Sequence, residues 1–595
     1  MKKAIQLQRI ISVNHSAKFD PTVRKALQLI DDGAIGSVLS VHYFRSSEYP
    51  AYTGGPLPPQ FKEGGFPFRD IGVHALYLME ALLGQIHTLE SAHRSTGQHP
   101  HVTFDHWTSV AHCQKGTAHF ELSWSCKPIQ HLLSIHGTRG NIVLDLYLGT
   151  CVIHRSLPVP KPAEAIANAF LTSFQNVRQI SWNTIRVATG RFVRGADIHE
   201  SIKAFYSALR NGIEPPVSPL EGKRLVQWLE HYAQQADQER DRMLASHRTS
   251  NRASVLITGA SGFLGGALTR ALITRGERVR LLLRRDAPPE FVNHPSIDIV
   301  IGELGDPESV DSAITGVDTV FHVGAATRGP WSDHQCATIG GTTNVVNSCL
   351  RHHIRKLVYV SSLSVLNYTG LPRHVRLSEV SQLEASPEKR GFYPNAKLQA
   401  EQIVREAIQN HGLPAVILRP GSIFGPGAER VPPYGIVCLG NRWLVIGRGD
   451  TILPLVYVDD VVDALLRAAE SDRALGRVVH LVDPNQITQR FYLQYVLHKM
   501  PVIRVVQIPM SILYVAAASL SPIAAMLRRS APLTVYRLRS IKGGIEFDCS
   551  AAAGLLDWCP SVGVRKGLEI TFGLLPDQLA ATSPILQPSR QHSRN

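Results

Sequence analysis

The spacing of hydrophobic residues changes near residue 250, and the change divides the chain into two parts. From 254 to 425, short apolar runs alternate with helical segments, the order required by a parallel sheet with helices on both faces. Strands are predicted at 254–258, 278–284, 298–304, 318–325, 356–362 and 415–421. The helix from Asp306–Pro307 to Gly316 has an N-cap, a starting proline and a terminating glycine. This pattern predicts a doubly wound α/β domain.

The first 245 residues follow a different pattern, in which polar and apolar residues alternate over long stretches. Such alternation suits an antiparallel sheet with one face covered. The predicted elements are a helix at 20–33, strands within 36–46, 101–125 and 130–145, and helices at 196–211 and 218–245. The last helix begins with a capping box at Ser218 and Glu221. We therefore expect an α+β domain with an open, mostly antiparallel sheet.

Polar segments mark the boundaries of these domains. The stretch SHRTSNRA at 246–253 predicts a linker between domain 1–245 and domain 254–580, and the Ser/Pro/Gln-rich tail 581–595 predicts disorder. The apolar run 508–527 contains two prolines and predicts a helix pair in a small C-terminal substrate lobe, not a membrane span. Peripheral contact of this run with a membrane remains an open alternative.

Charge and cysteine content limit the partners. The net charge is +14, but lysine and arginine are scattered without interleaved aromatics, so we expect a site for a phosphorylated small molecule and no nucleic-acid partner. The eight cysteines form no CxxC pair, which predicts reduced thiols, a cytoplasmic location and no metal site. Gln6, Gln8 and Arg9 interrupt the N-terminal apolar segment, which argues against a signal peptide.

A glycine pattern lies directly after the first strand of the α/β domain. Gly259, Gly262 and Gly265 follow VLIT and lead into a helix, where they permit a tight turn and leave the helix N-terminus to take a pyrophosphate. After the second strand, where an acid would bind a free ribose hydroxyl, stand Arg284 and Arg285. This favours NADP over NAD, because arginine accommodates a 2′-phosphate. Asp286 comes later than the position of such an acid.

A second pattern indicates acid–base chemistry. Tyr393 and Lys397 lie four residues apart in GFYPNAK, and therefore on one face of a helix. There Lys397 can lower the pKa of the Tyr393 phenol and make it a usable acid or base near neutral pH. Ser361 and Ser362 follow the strand KLVYV, where a hydroxyl could hold a substrate oxygen against Tyr393.

With these motifs in place, residues 254–575 resemble an extended short-chain dehydrogenase/reductase of the epimerase/dehydratase and 3β-hydroxysteroid dehydrogenase-like group. The shared stretches include TGASGFLG, VFHVGAAT, VYVSSLSV, YPNAK, LRPGSIFGPG and VYVDDVVDALLRA. The resemblance implies a Rossmann fold, with Ser362 orienting the substrate, Tyr393 as acid or base, and Lys397 holding the nicotinamide ribose. It further implies contacts with each part of the cofactor. The pyrophosphate would lie at Gly259, Gly262, Phe263, Leu264 and Gly265, and the 2′-phosphate at Arg284. The adenine would lie at Glu303 and Leu304, the ribose at Ala325 and Ala326, and the carboxamide at Pro420, Gly421 and Ser422.

Two departures from that group matter. An asparagine often found in the helix after the fourth strand is replaced around Thr338, which leaves a proton-relay detail open. Dehydratases of the group usually carry an Asp–Glu pair after the serine, whereas this chain has Leu363–Ser364. Dehydration is therefore disfavoured, and the arginine-bearing second strand resembles that of reductases.

The first part of the chain is similar to the C-terminal domain of the Gfo/Idh/MocA sugar oxidoreductases. The similarity rests on stretches 13–46, 64–84, 135–146 and 205–230. It implies a substrate site at Asp70 and His74 in DIGVH. A purely structural role, with Asp70 as a helix N-cap and His74 packed in the core, is the alternative. The dinucleotide-binding half expected before this domain is not present in the dozen preceding residues, whether lost or absent from the sequence as given. We therefore expect this domain to bind substrate or to serve assembly.

Together the two resemblances predict an oxidoreductase or epimerase that uses NADP or NAD on a sugar or nucleotide sugar, as a homo-oligomer. A 3β-hydroxysteroid-type dehydrogenase is the alternative enzyme, suggested by the apolar run 508–527. A non-catalytic scaffold that binds a partner through its N-terminal domain is the alternative of another class.

Overall fold

The computed structural model separates the chain into two compact units. One unit comprises Met1–Pro50 and Leu57–Ala245, and the other comprises Ala51–Pro56 and Ser246–Asn595. The described residues are 6–7, 10–50, 52–99, 101–190, 196–246, 253–284, 287–292, 294–372, 375–433, 435–526, 534–540 and 545–573. The tail 581–595 and most of the linker 246–253 lie outside them.

The first unit is built on one seven-stranded sheet. Its strands are β1 (Val38–Ser46), β2 (Ile86–Arg94), β3 (His106–Cys113), β4 (Gly116–Ser123), β5 (His131–Gly137), β6 (Gly140–Asp145) and β7 (Thr150–Arg155). Their order is β2-β3-β4-β1-β5-β6-β7, and every neighbouring pair is antiparallel except β1 and β4. The predicted open, mostly antiparallel sheet is confirmed.

The first unit also contains helices, several of which pack against this sheet. They are α1 (Pro21–Asp31), α2 (Pro59–Lys62), α3 (Val73–Leu83), α4 (Lys161–Ala188), α5 (Ala196–Arg210) and α6 (Pro219–Ser246). Asp20 caps α1 by accepting hydrogen bonds from the Thr22 and Val23 amides. The core joins the apolar side chains of α3 to the inward positions of β1, β3 and β4. The strand pattern did not reveal β2, β7 or α4.

The second unit contains a seven-stranded parallel sheet and several short strands. The strands are β8 (Val255–Thr258), β9 (Val279–Leu283), β10 (Ile297–Ile301), β11 (Thr319–His322), β12 (Lys356–Val360), β13 (Arg376–Leu377), β14 (Ala415–Pro420), β15 (Ser422–Phe424), β16 (Ile436–Leu439), β17 (Arg442–Ile446), β18 (Ile452–Leu453), β19 (Leu455–Tyr457), β20 (Val478–Leu481), β21 (Ile487–Thr488), β22 (Arg504–Ile508) and β23 (Glu546–Phe547). The main sheet has the order β10-β9-β8-β11-β12-β14-β20.

Helices lie on both faces of this parallel sheet, as its almost continuously buried strands require. They are α7 (Phe263–Thr274), α8 (Pro307–Ile314), α9 (Trp331–Asp333), α10 (Gly341–Arg351), α11 (Pro387–Arg390), α12 (Phe392–His411), α13 (Val458–Glu470), α14 (Gln489–Lys499), α15 (Met510–Met526), α16 (Val535–Ser540), α17 (Ser550–Leu556) and α18 (Gly563–Phe572). The strand order reverses between β8 and β11, so the crevice at their carboxyl ends is the expected ligand site of a Rossmann fold.

Residues 510–526 of the apolar run form one helix, α15, so the predicted helix pair is wrong there. Pro509 stands immediately before the first helical residue, where the missing N–H costs no hydrogen bond. Within the residues that the structure describes, no helix is both long and apolar enough to cross a bilayer.

Candidate active site

The turn between β8 and α7 and the first turn of α7 each have a position that admits only glycine. Gly259 has φ +76°, and a Cβ there would lie 2.7 Å from the Gly324 Cα. A Cβ on Gly265 would lie 2.2 Å from the Gly259 carbonyl oxygen. Gly262 is the N-cap residue of α7 and makes no side-chain cap hydrogen bond. The N-terminus of α7, with Phe263 and Leu264 in its first turn, is therefore arranged to receive an anion through its backbone amides.

His322, a buried histidine in β11 that the sequence pattern did not indicate, is hydrogen-bonded to the residue that precedes this turn. The Thr258 Oγ1 accepts a hydrogen bond from the Gly324 amide at 3.1 Å and is hydrogen-bonded to His322 Nδ1 at 2.8 Å. His322 Nε2 is hydrogen-bonded to Thr342 Oγ1 at 3.0 Å. Burial, with a smaller contribution from Lys397, lowers the pKa of His322 to about 3. The only signal in the sequence was a histidine within an apolar strand.

The loops after β10 and β11 hold the predicted adenine and ribose contacts in place. The Thr338 hydroxyl accepts a hydrogen bond from the Ala326 amide at 2.9 Å, next to Ala325. Asn344 Nδ2 donates to the Leu304 carbonyl oxygen at 2.9 Å, beside the buried Glu303. Thr338, which replaces the asparagine expected here, thus serves as a support for the Ala326 loop.

Four further predicted cofactor contacts lie at or just after the ends of two strands of the same sheet, β9 and β14. Arg284 follows β9 directly and is exposed, whereas Arg285 and Asp286 are outside the described residues. Pro420 ends β14, and the Gly421 amide donates to the Leu481 carbonyl oxygen at 2.9 Å. The Ser422 amide donates to the Pro454 carbonyl oxygen at 2.7 Å, so these residues are fixed between neighbouring strands.

The structure brings together the serine, tyrosine and lysine. Ser362 lies two residues beyond the end of β12, and its Oγ accepts from the Ser364 amide at 3.2 Å. Tyr393 is half-buried in the first turn of α12 and interacts with Ser362. Lys397, one turn later, is buried and donates to the Val360 carbonyl oxygen at 2.7 Å. A phenol, a serine hydroxyl and a lysine ammonium group therefore lie together at the carboxyl end of β12.

Burial controls the protonation of these groups. It raises the pKa of Tyr393, an effect that the hydrogen bond with Ser362 partly offsets. It lowers the pKa of Lys397 to about 8, against the opposing charge of Glu401. The expected lowering of the Tyr393 pKa by Lys397 is not found, since burial and the Ser362 side chain are the causes of its shift. The Lys397 ammonium is engaged by the Val360 carbonyl.

The second serine has a structural partner. Ser361 Oγ donates to the buried Glu401 carboxylate at 2.6 Å. Glu401 also accepts from Arg419 and, at 2.8 Å, from Arg405 Nε. Because Glu401 follows Lys397 by one helical turn, this network lies directly behind the site and ties α12 to β12 and β14. The sequence pattern does not reveal this network, since its members are far apart in the chain.

The predicted N-terminal pair has separate partners. Asp70 is exposed in a π-helical turn, Phe68–Gly72, and its charge acts on the Tyr49 hydroxyl, adding to the burial that raises the pKa of Tyr49. His74 Nδ1 lies 2.7 Å from the Tyr77 Oη, which accepts a hydrogen bond from the Ala17 amide. Burial, aided by Arg45, lowers the pKa of His74 to about 4. No described group of three or more histidine, cysteine, aspartate or glutamate side chains could hold a metal ion.

Comparison with known proteins gives two family matches. Residues 255–481 match the NAD dependent epimerase/dehydratase family, and residues 23–143 match the GFO/IDH/MocA C-terminal domain. The site described above lies within the first of these ranges.

Curated relatives match part of this chain. A 2-alkyl-3-oxoalkanoate reductase of Stenotrophomonas maltophilia is 36% identical over 222 residues, which cover 36% of this chain and 65% of the relative. A 4-hydroxy-2-methyl-3-oxo-4-farnesyl-3,4-dihydroquinoline-1-oxide ketoreductase of Stigmatella aurantiaca is 32% identical over 248 residues, covering 40% and 71%. A 3 beta-hydroxysteroid dehydrogenase/Delta 5-->4-isomerase of Mycobacterium tuberculosis is 28% identical over 247 residues, covering 38% and 63%.

Among solved structures, the UDP-glucose 4-epimerase of Thermotoga maritima is 18% identical. The match covers 54% of this chain and 97% of that chain, with a TM-score of 0.41. The family matches and the Stigmatella relative assign the fold. The chain belongs to the NAD dependent epimerase/dehydratase family of extended short-chain oxidoreductases, with a GFO/IDH/MocA C-terminal domain fused ahead of it.

Proposed function

We propose that the second unit interconverts a ketone and a secondary alcohol by hydride transfer with NADP or NAD. The proposal rests on one observation: Ser362, Tyr393 and Lys397 lie together at the carboxyl end of β12. In the same sheet, the glycine turn after β8 leaves space for a pyrophosphate. Acid, orienting hydroxyl and cation are the groups that carbonyl reduction requires.

The residues present fit a dinucleotide. Gly259 and Gly265 leave a backbone-lined cradle that a Cβ would fill, and the N-cap Gly262 leaves the first turn of α7 without a capping side chain. The cofactor would be held along this cradle and beside the loops that carry Glu303 and Ala325. Arg284 at the end of β9 supports a preference for NADP, since a guanidinium accommodates a 2′-phosphate.

When bound, the nicotinamide ring supplies a hydride to a carbonyl carbon or accepts one from a carbinol carbon. The Ser362 hydroxyl donates a hydrogen bond to the substrate oxygen and holds it near the Tyr393 hydroxyl. In reduction, Tyr393 gives its proton to that oxygen as the carbon gains the hydride. The Ser362 hydroxyl also favours the resulting phenolate, which burial of Tyr393 disfavours, and Lys397 would hold the nicotinamide ribose. Solvent then returns a proton to Tyr393.

We infer that the substrate is a ketone or alcohol with an apolar substituent. Two relatives above 30% identity are named as reductases of alkyl or farnesyl ketones. In the region of the substrate lobe, α15 exposes Ile512 and Val515, which could contact an alkyl chain. Leu363 and Ser364 provide no carboxyl group after Ser362, which favours reduction over dehydration.

A sugar or nucleotide sugar is the second candidate. It is favoured by the net charge of +14 and by the sugar oxidoreductase family that the first unit matches. Epimerisation would be the same oxidation followed by reduction from the opposite face. In either case we propose that the first unit serves substrate binding or assembly, because Asp70 and His74 have separate partners.

A substrate panel tests both candidates. The purified chain is mixed with NADPH or NADH and with 3-oxo acids of increasing chain length, 3-ketosteroids, or UDP-, GDP- and dTDP-linked 4-keto sugars, and loss of reduced nicotinamide is followed by absorbance. Turnover that rises with alkyl length supports the apolar ketone, and turnover of the sugars alone supports the second candidate. No turnover with any class, despite measured cofactor binding, would contradict the proposed chemistry.

A further inference from the structure

Helix α4 (Lys161–Ala188) presents an apolar face to solvent. None of its 28 residues is buried, and the exposed fractions are 72% for Phe170, 66% for Phe174 and for Val177, and 63% for Trp182. Both family matches leave this helix out, since one ends at residue 143 and the other begins at residue 255. The helix therefore needs an explanation of its own.

The polar face of α4 is the face that contacts the protein. The Gln175 side chain accepts from the Ile153 amide at 3.1 Å and donates to the Ile153 carbonyl oxygen at 3.0 Å. Gln179 makes the same pair of bonds with Cys151, at 2.9 and 3.0 Å. These side chains complete the hydrogen bonds of the edge strand β7 and fix how the helix is rotated. The usual arrangement, in which the apolar face packs inward, is thus reversed.

The outward side chains form a continuous stripe. Ile166, Phe170, Phe174, Val177 and Ile185 follow one another mainly at steps of three or four residues, with Ser181 filling the remaining step, so they share one side of the helix. The helix is about 42 Å long at 1.5 Å per residue. At the observed exposures, the stripe and Trp182 offer on the order of 700 Å² of apolar surface, against about 800 Å² per partner in a stable interface.

The composition of the stripe favours a second copy of the chain over a lipid surface. Helices that lie in a membrane interface direct a lysine- and arginine-rich polar face toward the headgroups. In α4 the polar face is formed mainly by glutamine and asparagine, with Glu164 and Thr172, and it contacts β7 and the residues that flank it. The five apolar residues of the stripe carry no charge, and exposed Arg178 lies at its border, one turn from Phe174 and from Trp182. Like charges would therefore not meet at the centre of a two-fold contact, where Ser181 leaves room beside Val177 and Ile185.

We propose that the chain forms a two-fold symmetric dimer in which the outward stripe of α4 packs against the same stripe of a second copy. This surface is independent of the Ser362, Tyr393 and Lys397 site, and the inference does not depend on the proposed reaction.

Sedimentation equilibrium of the full chain tests the interface. The wild-type protein is expected at twice the mass of one chain at micromolar concentration. The double variant Phe170→Glu/Phe174→Glu should weaken the dimer about 100-fold or more and sediment as one chain, since buried aromatic residues dominate such interfaces. Leu220→Glu, an equally exposed apolar position on α6, is the matched control and should remain a dimer.

Because charges on α4 could disturb the helix, Ser181→Arg provides a second disruption that removes no apolar side chain. Circular dichroism of each variant confirms that it is folded. Flotation with phosphatidylcholine–phosphatidylglycerol vesicles measures whether the chain binds a lipid surface instead. A wild-type chain that sediments as a monomer would overturn the proposal, with or without binding to these vesicles. A dimer that survives both α4 disruptions would overturn it equally.

Discussion

Arg419 and Glu401 form a fully buried, two-pronged ion pair. The distance from Arg419 Nη2 to Glu401 Oε1 is 2.6 Å, and that from Nε to Oε2 is 2.9 Å. The pair joins β14 to α12 one turn beyond Lys397, and Ser361 joins it from the end of β12. The two elements that carry Ser362 and Tyr393 are therefore tied together behind the site.

Removal of the Glu401 charge should destabilise the second unit. Glu401→Gln leaves the buried Arg419 guanidinium without its counterion, which costs about 3–5 kcal/mol. Urea unfolding, followed as separate transitions for the two units, measures the change. Glu406→Gln, on the exposed side of the same helix, should change stability by less than about 0.5 kcal/mol. Equal effects of the two substitutions would contradict the role given to the pair.

Two glycine substitutions separate backbone strain from the shape of the cofactor cradle. Gly259→Ala and Gly276→Ala both place an alanine at positive φ, +76° and +79°. Only the Gly259 variant also brings a Cβ to 2.7 Å from the Gly324 Cα, whereas a Cβ on Gly276 has no neighbour within 4 Å. We expect each to lose about 1 kcal/mol through strain. Only Gly259→Ala should weaken NADPH binding, by tenfold or more in fluorescence titration, and equal affinities would refute the cradle.

The choice between NADPH and NADH should depend on Arg284. Arg284→Glu is expected to lower kcat/KM for NADPH by about 10- to 100-fold, because it replaces a charge-assisted contact with the 2′-phosphate by repulsion. The value for NADH should change by less than about threefold. Arg278→Glu, an exposed arginine just before β9, is the control for overall charge. An Arg284 variant that loses both cofactors equally would contradict the predicted NADP preference.

Buried neutral histidines should make the second unit sensitive to acid. The pKa values of His322 and His480 are lowered to about 3, against about 6.5 in the unfolded chain. Burial is the main cause for both, and the charge of Lys397 adds to it for His322 and that of Arg419 for His480. Below pH 6.5 the unfolded state binds more protons, so stability falls with falling pH, by up to about 1.4 kcal/mol per unit for each histidine. Urea unfolding between pH 6.5 and 5 measures this slope. A flat profile would show that these histidines are not buried neutral.

The sequence predicted those parts of the fold that are determined by residues close together in the chain. Strand–turn–helix alternation located six strands of the parallel sheet, and the glycine spacing after β8 located the cradle. β20 was missed because Val478–Leu481 is a short apolar run far from the others and is paired only by tertiary structure. Helix α4 was missed although its apolar residues recur at helical spacing, and that spacing does not tell that the polar face is the one that contacts β7.

Within the site, it was easier to predict which residues take part than which hydrogen bonds they make. The positions of Ser362, Tyr393 and Lys397 follow from helix spacing and strand ends. The contact of Lys397 with the Val360 carbonyl, and the bond between Thr258 and His322, depend on strands that become neighbours only in the folded sheet. No linear pattern contains that information.

The central claim, that Tyr393 transfers the proton, is tested most directly by Tyr393→Phe assayed with whichever substrate the panel identifies. The account predicts that kcat falls by about 10²- to 10⁴-fold, while NADPH affinity and the unfolding midpoint stay near wild type. Tyr495→Phe on α14 should retain full activity as the matched control. Turnover by the folded Tyr393→Phe protein within a few-fold of wild type would contradict the account.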